Sequence, residues 1–415
     1  MTDKKKVMDL TYEAGTILLE NGAEISRVEE TMDRIAKHFG VEEPHFFVLS
    51  NGIMATGDDY AHSDFIPMQG TRLDKVVEVN QLSRDVAQDT CDLDRLEQRL
   101  KAIRAMKSKP ALEQIFASAL GSAAFCIIFG GGFMDSLAAF VSGLLLWTFM
   151  LFVGFPHLSR ITNSIFGGLL ASMMCVVMYK LGLGTHLSNM IIGAIIPLVP
   201  GVPFTNGIRD LANGDYLAGT TRLLDAMLSF HCIALGVAIA FMIDAGIFGQ
   251  MRVLDSLTAD PATSGMVVQL LAAFLGTTAF AVLFGVPRRF YADCGFCGMM
   301  GWLLYLILNR HTAMSASEIT FFATALVTLT ALVQSLLRKC PITVFLICGI
   351  FPLVPGAGIF WTAYNIVSNQ LNAALQTGFL AIKITVAIAL GILIVNEING
   401  KGRLTSLFHS RKKPS

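Results

Sequence analysis

Thr205, Asn206, Arg209, Asp210 and Asp215 fall within eleven residues of one another, directly after a run interrupted by Pro197, Pro200, Gly201 and Pro203. These residue types suit the handling of a small charged metabolite. Thr205 fits an N-cap and Asn213-Gly214 a C-terminal stop, so a short helix is expected between them. Free amides at its start, near Thr205 and Asn206, would receive a carboxylate. Arg209 offers a planar fork for a carboxylate or for Asp210. Asp210 and Asp215 would carry protons if partly desolvated. The alternative is an ordinary loop with solvated charges.

The surroundings of this cluster are apolar. The 415-residue chain is 53% hydrophobic and 15% charged, with a mean hydropathy of +0.60, whereas soluble proteins are typically ~25% charged. Charge concentrates in residues 1–110, so a soluble head followed by a membrane body is expected. The start of the chain, Met-Thr-Asp-Lys-Lys-Lys, leads into an amphipathic segment and does not read as a signal peptide. The eight cysteines lie mostly in apolar stretches and read as small buried hydrophobes. Cys294 and Cys297 have CxxC spacing but lack the second pair that a zinc site needs, so neither metal nor cofactor is expected.

Two stretches 155 residues apart repeat. Ile195-Ile-Pro-Leu-Val-Pro-Gly201 and Ile350-Phe-Pro-Leu-Val-Pro-Gly356 agree at six of seven positions. Leu120, Gly121, Ala124, Phe125, Phe129, Gly130, Gly143 and Trp147 recur at the same offset as Leu275, Gly276, Ala279, Phe280, Phe284, Gly285, Gly298 and Trp302. Chance matching of prolines and tryptophans is improbable in a chain with 13 Pro and 3 Trp. The repeat is an internal duplication.

Ten spans are expected, at roughly 112–131, 134–153, 161–180, 188–201, 223–243, 266–285, 291–308, 318–337, 342–356 and 378–396. With the head in the cytoplasm, inside loops and tail carry twelve basic residues against three outside (Lys180, Arg252 and Arg310). Both termini are therefore expected in the cytoplasm of a multi-pass plasma-membrane protein. Five spans per copy is an odd number, so the second copy enters the membrane inverted. Such symmetry makes inward-open and outward-open states near mirror images, the basis of alternating access in many secondary transporters. The fold class is thus an all-α polytopic membrane protein of about ten transmembrane helices, a 5+5 inverted repeat with two broken helices, carrying a small α+β cytoplasmic head. Its boundaries read 1–110 for the head, 111–250 and 262–398 for the membrane repeats, and 399–415 for a basic tail.

Pro197, Pro200, Gly201 and Pro203 end span four early, and Pro352, Pro355, Gly356 and Gly358 do the same to span nine. Backbone freed in this way must be satisfied inside the protein, lining a cavity. The second copy replaces the charges after the first break with neutral groups: Trp361 for Asn206, Tyr364 for Arg209, Asn365 for Asp210 and Gln370 for Asp215. Trp361, Thr362, Tyr364 and Asn365 are expected to supply hydrogen bonds and shape. Asp225, His231 and Lys383 lie within spans and are candidates for proton or substrate handling, snorkelling or packing being the alternatives. Glu113, Asp135, Asp293, Glu318 and Glu397 fall at span ends, where interfacial solvation is expected.

In the head, residues 7–19 and 25–39 have helical patterning, with Ile25, Val28, Met32, Ile35 and Phe39 stepping by three and four. His45–Ser50 and Ile53–Thr56 flank Asn51-Gly52, a hairpin signal, and Ser63–Met68 adds a further strand. Residues 72–106 read as one long charged helix whose apolar stripe packs on the hairpin or on another head, which leaves a homo-oligomer open. Glu20, Glu24, Asp58, Asp59, His62 and Asp64 read as a solvated acidic surface. No phosphate-binding glycine loop ending in Gly-Lys-Ser/Thr is present, which argues against an ATP-driven pump.

The chain resembles the threonine/serine exporter family at Asn21-Gly-Ala-Glu-Ile-Ser-Arg-Val-Glu29, at Pro200-Gly-Val-Pro-Phe-Thr-Asn206 with Arg209-Asp210 and Gly214-Asp215, and at Pro352-Leu-Val-Pro-Gly356. Some family members are split into two polypeptides, and this chain is similar to the fused form. The resemblance implies export of small polar metabolites driven by the proton gradient. Threonine and serine are the named substrates, and some split relatives are associated with succinate efflux. Its partners would be a small-molecule substrate, protons and the lipid bilayer, with no nucleic acid and no enzymatic step. A channel, or a membrane sensor with an active head, would share the architecture.

Overall fold

The computed structural model describes residues 4–57, 59–67, 70–212, 214–248 and 265–400. Asp58, Met68, Asn213, Arg252 and the basic tail from Lys401 lie outside the described residues. The head opens with α1 (Lys4–Glu20) and α2 (Ile25–His38), followed by β1 (His45–Leu49), β2 (Gly52–Gly57) and β3 (Tyr60–Phe65) in one antiparallel sheet of order β1-β2-β3. Leu49 pairs with Gly52, so the first turn is Ser50-Asn51 and Gly52 already belongs to the strand. The stripe expected on α2 is buried at Ile25, Val28, Met32 and Ile35, against Ile17 and Leu18 of α1.

Residues 72–106 form two helices, α3 (Leu73–Ala87) and α4 (Leu93–Arg104). The apolar stripe runs through both, but Asp89 takes a left-handed φ of 55°. Asp92 then restarts the chain as an N-cap, its side chain accepting from Arg95 N at 2.9 Å. A capping aspartate after a polar Gln88-Asp89-Thr90 turn outcompetes helix continuation.

The body starts at α5 (Ala111–Ile128) and α6 (Phe133–Phe149). A π-helical turn, Met150–Gly154, and α7 (Phe155–His157) extend α6, and α8 (Arg160–Lys180) follows. Next come α9 (Leu187–Ile195), α10 (Gly201–Ala212) and the long α11 (Tyr216–Phe248). The later elements are α12 (Met266–Leu283), α13 (Tyr291–His311), α14 (Ala316–Arg338), α15 (Ile342–Ile350), α16 (Gly356–Val367) and α17 (Leu371–Gly400). Among the described residues, eight helices are long and apolar enough to cross a membrane. Two further pairs pass together but are bent, α9 with α10 by 69° and α15 with α16 by 52°.

The bent pairs change the reading of spans four and nine. Both continue as twelve-residue helices beyond their breaks, so residues 201–212 are not a loop. Thr205 sits inside α10 and caps nothing. Gly214, at φ +90°, follows the end of that helix and turns the chain into α11. Asp135, expected in interfacial water, is 1% exposed and accepts from the amides of Gly132, Thr185 and His186. It ties the start of α6 to the turn ahead of α9.

Candidate functional site

The two breaks are built alike. Pro197 and Pro352 each lie in a short 3-10 turn, Ile196–Leu198 and Phe351–Leu353. Val199 (φ −61°, ψ 126°) and Val354 (φ −60°, ψ 130°) then run extended. Gly201 N donates to Val199 O at 2.8 Å and Gly356 N to Val354 O at 2.7 Å. Phe204 N donates to Pro200 O at 3.0 Å, and Ile359 N to Pro355 O at 2.9 Å. Proline cannot donate a backbone hydrogen bond, so each helix stops, steps sideways and restarts.

The breaks also touch. A Cβ added at Gly201 would overlap the Phe351 ring, and one added at Gly356 would stand 3.4 Å from Val199 and 4.0 Å from Ile196. Ile196 and Phe351 hold equivalent places in the two copies, so each glycine faces the other copy's apolar residue. Phe351 stacks on Phe280 with ring centroids 3.9 Å apart and meets Phe125 edge-on at 5.5 Å. The repeated tryptophans behave the same way: Trp147 Nε1 donates to Gln114 at 3.4 Å, and Trp302 Nε1 to Gln269 at 3.1 Å.

A cavity of about 370 Å³ opens against the first break, within the ~300–1,000 Å³ range of small-molecule sites. Pro197, Pro200 and Pro203 form one wall, Asn163, Ser164 and Ser229 supply polar groups, and Thr71 of the head reaches its edge. Asn163 Oδ1 is buried there without a protein hydrogen-bond partner. The position equivalent to Met150 of this cavity is Tyr305, whose ring stacks flat on Trp302 at 4.8 Å.

Beside the break, α10 carries a buried charged cluster that the head completes. Arg209 donates to Glu24 Oε1 at 2.5 Å and lies 3.4 Å from the Thr343 hydroxyl, which also bonds Glu24. Arg222 of α11 pairs with Asp210 at 2.6 Å and donates to the Ala23 carbonyl at 3.0 Å. Asn206 Nδ2 donates to the Gly22 carbonyl at 2.8 Å. Thr205, Asn206, Arg209, Asp210, Arg222 and Glu24 are all 5% exposed or less. Among the described residues, five buried atoms in this cluster have no protein partner: Thr205 Oγ1, Asn206 Oδ1, Arg209 Nε, Asp210 Oδ1 and Arg222 Nε.

Glu24 thus belongs to no solvated acidic surface. It stands at the start of α2 with its side chain turned away from capping that helix. Burial alone would raise its carboxyl, but Arg209, the Thr343 hydroxyl and Arg27 outweigh burial and hold it below the usual range. A lowered carboxyl stabilises the docked head fully above the ordinary value of 4.5 and loses that contribution only as pH falls through the lowered value. Hydrogen exchange at amides 21–25, corrected for intrinsic rates, is therefore expected to stay protected between about pH 5 and 8 and to lose protection below about pH 4.

The remaining predicted residues are spread out. Tyr364 and Trp361 on α16 pack with Phe241, 6.2 Å from Tyr364, near the far end of α11. Arg222 and Phe241 are nineteen residues apart on that helix, or about 28 Å at 1.5 Å per residue. The charged set around Arg209 and the neutral set around Tyr364 therefore occupy opposite ends of the body and do not form one pocket. Thr362 bonds Thr377 at 3.0 Å, and Asn365 is buried beside Tyr364. Asp215 is half-buried between α10 and α11. Asp225 pairs with Arg160, and His231 Nδ1 sits 2.8 Å from the Met227 carbonyl of its own helix. Lys383, twelve residues into α17, is exposed over the Phe379 ring.

Sequence reasoning missed Glu24, Arg222 and Thr343. Arg222 has a signal, an arginine at the edge of an apolar run, but by position it is one of the twelve inside basic residues. Glu24 lies in the Asn21–Glu29 stretch that carries the resemblance, but neither it nor Thr343 shows its partner locally, because both meet Arg209, 185 and 134 residues away. Cys294 and Cys297 are buried and free within α13.

A family model described as "Putative threonine/serine exporter" matches residues 9–244, and a second, "Threonine/Serine exporter, ThrE", matches residues 269–398. The "Threonine/serine exporter" of Corynebacterium glutamicum is 22% identical, covering 94% of this chain and 81% of that protein. The "Probable threonine/serine exporter" of Mycobacterium tuberculosis is 23% identical over 99% of this chain and 80% of its own length. The "Probable succinate transporter subunit YjjP" of Escherichia coli is 22% identical over 58% of this chain and 95% of its own length. No solved structure matches the chain.

Proposed function

Because the chain belongs to the threonine/serine exporter family, we propose that it is a secondary active exporter of small polar metabolites of the threonine/serine type, coupled to protons. The observation that carries this reading is the contact between two like-built helix breaks, Gly201 against Phe351 and Gly356 against Val199, with a cavity along the first. In the proposal the two five-span halves form an inverted repeat, and the breaks are the pivot about which one half rocks against the other. The head-side cavity then belongs to the inward-facing state, with both termini in the cytoplasm of a plasma-membrane protein.

Substrate enters along the Pro197–Pro203 wall and meets Thr205, Asn206 and Arg209. Asp210 carries the coupled proton, with Asp215 next in line where α10 turns into α11. Trp361, Thr362, Tyr364 and Asn365 line the exit on the opposite side, where the absence of fixed charge favours release. Asp225, His231 and Lys383 take secondary roles along α11 and α17. A dicarboxylate is the second reading, favoured by a second buried guanidinium, Arg222, close to Arg209.

The deciding experiment is transport in proteoliposomes with serine, threonine and succinate measured side by side. Export is expected to follow the pH gradient and to show counterflow. Transport indifferent to the gradient and lacking counterflow would establish a channel instead. Asp210→Asn is expected to insert normally and to lose gradient-driven export by at least tenfold. Wild-type rates and pH dependence in that variant would remove Asp210 from the mechanism.

A further inference from the structure

The charged cluster on α10 has the composition of an amino-acid site, and one of its places is already filled from within the chain. Arg209 and Thr343 hold a carboxylate that comes from the head, Glu24, not from a ligand. Next to it, Asp210 uses one oxygen on Arg222 and leaves Oδ1 buried and unpartnered. Asn206 Oδ1 and Thr205 Oγ1, four and five residues nearer the break, are likewise buried without partners among the described residues. A carboxylate seat thus stands beside two acceptor oxygens, Asp210 Oδ1 and Asn206 Oδ1, and the Thr205 hydroxyl, all without partners among the described residues, while the unpartnered donors of the cluster, Arg209 Nε and Arg222 Nε, lie on the guanidiniums themselves. An α-amino acid carries both complements: a carboxylate for Arg209 and Thr343, and an ammonium for Asp210, Asn206 and Thr205.

We infer that Arg209 and Thr343 form the carboxylate subsite for an α-amino acid, and that Glu24 is its internal occupant, expelled when the substrate binds. This rests on the exporter reading for its substrate class, and extends it by giving the head a task. The head reaches the site through three consecutive residues. Gly22 and Ala23 give their carbonyls to Asn206 and Arg222, and Glu24 gives its carboxylate to Arg209. Gly22 also packs on Val202 at the start of α10 and on Thr71. Displacing one carboxylate therefore loosens the whole 22–24 turn from α10, which unseats the head from the first half. Other ties of the head, from Leu73 and Asp74 to the carbonyls of Phe284 and Gly285 and from Arg84 to that of Lys339, hold it to the second half. Substrate binding would thereby free one half from the other at their shared cap. A buried ion pair suits such a device, because its two charges tolerate exchange of one carboxylate for another but not the loss of either.

The test uses the full-length chain in detergent and in proteoliposomes. With the internal competitor removed, Glu24→Ala is expected to bind L-serine or L-threonine at least tenfold more tightly than wild type, and acetate should raise its melting temperature while leaving wild type unmoved. Glu24→Gln, which keeps the shape, should show the same sign of change; both variants strand the Arg209 guanidinium, and recovery of their melting temperature on adding acetate or serine separates an emptied subsite from a folding defect. Adding Arg209→Gln to either variant is expected to cancel the gain. In the wild type, Val202→Cys is the reporter of head release: all eight native cysteines are buried, and L-serine at saturating concentration should raise maleimide labelling at position 202 several-fold. Unchanged labelling, or equal affinity in wild type and both Glu24 variants, overturns the inference. If serine is exported and labelling does not move, the exporter reading stands and this inference falls. If no solute is exported while Glu24→Ala still binds serine through Arg209, the inference stands and the exporter reading falls.

Discussion

Arg209→Gln is expected to destabilise the protein by about 3–5 kcal/mol and to abolish export, because it leaves Glu24 buried without a counter-ion. Glu24→Gln alone leaves the guanidinium stranded in the same way and should cost a comparable amount. The double variant, Glu24→Gln with Arg209→Gln, removes both charges together and is expected to recover to within about 1 kcal/mol of wild type. Thermal unfolding in detergent across the four proteins gives the coupling directly. Additive single losses would show that the pair seen at 2.5 Å contributes nothing specific. Export should not recover with stability, since the neutral pair offers no seat for a carboxylate. This separation of folding from transport makes the cycle informative.

The second large effect is expected at the pivot. Gly201→Ala places a methyl group in the Phe351 ring, an overlap that neighbouring aromatic rings leave no room to relieve. Overpacking of this kind costs about 1–3 kcal/mol, and export is expected to fall at least tenfold because the two breaks can no longer meet. Gly356→Ala is the internal control. Its added methyl would stand 3.4 Å from Val199, an ordinary contact, so export should stay within about twofold of wild type. Pairing Gly201→Ala with Phe351→Ile copies the arrangement at the other break, where Ile196 faces Gly356, and should restore transport. Equal effects of the two alanines would mean that the breaks do not bear on one another during export.

Much of this was legible in residue order. The proline–glycine pairs at 197–201 and 352–356 located both bends, because a missing amide has the same consequence in any helix. Hydropathy located the eight long helices, and the stripe at Ile25, Val28, Met32 and Ile35 located α2. What lay beyond reach depended on distance along the chain. The residues after the first break read as a short helix from Thr205 or else a solvated loop, yet the helix begins at Gly201 and is buried, because the head and α11 supply partners for its charges and for Asn206: Glu24 for Arg209, Arg222 for Asp210 and Gly22 for Asn206. Alignment of the two copies places Arg209 and Tyr364 at equivalent positions around one expected cavity. The bends instead send α10 and α16 toward opposite ends of α11, where they meet Arg222 and Phe241, residues about 28 Å apart along that helix. The break between α3 and α4 was missed for a smaller reason: a continuous apolar stripe conceals a capped turn.

The bonds that seat the head have a consequence for how the chain is made. Leu73 and Asp74 donate to carbonyls at 284 and 285, Arg84 to that of Lys339, and Glu24 accepts from Thr343. All four partners lie more than 200 residues further along the chain, so through much of translation these groups face water or one another. The head emerges ahead of the body and is seated only once the chain has reached α15, so its seating reports that both halves of the body have begun to assemble.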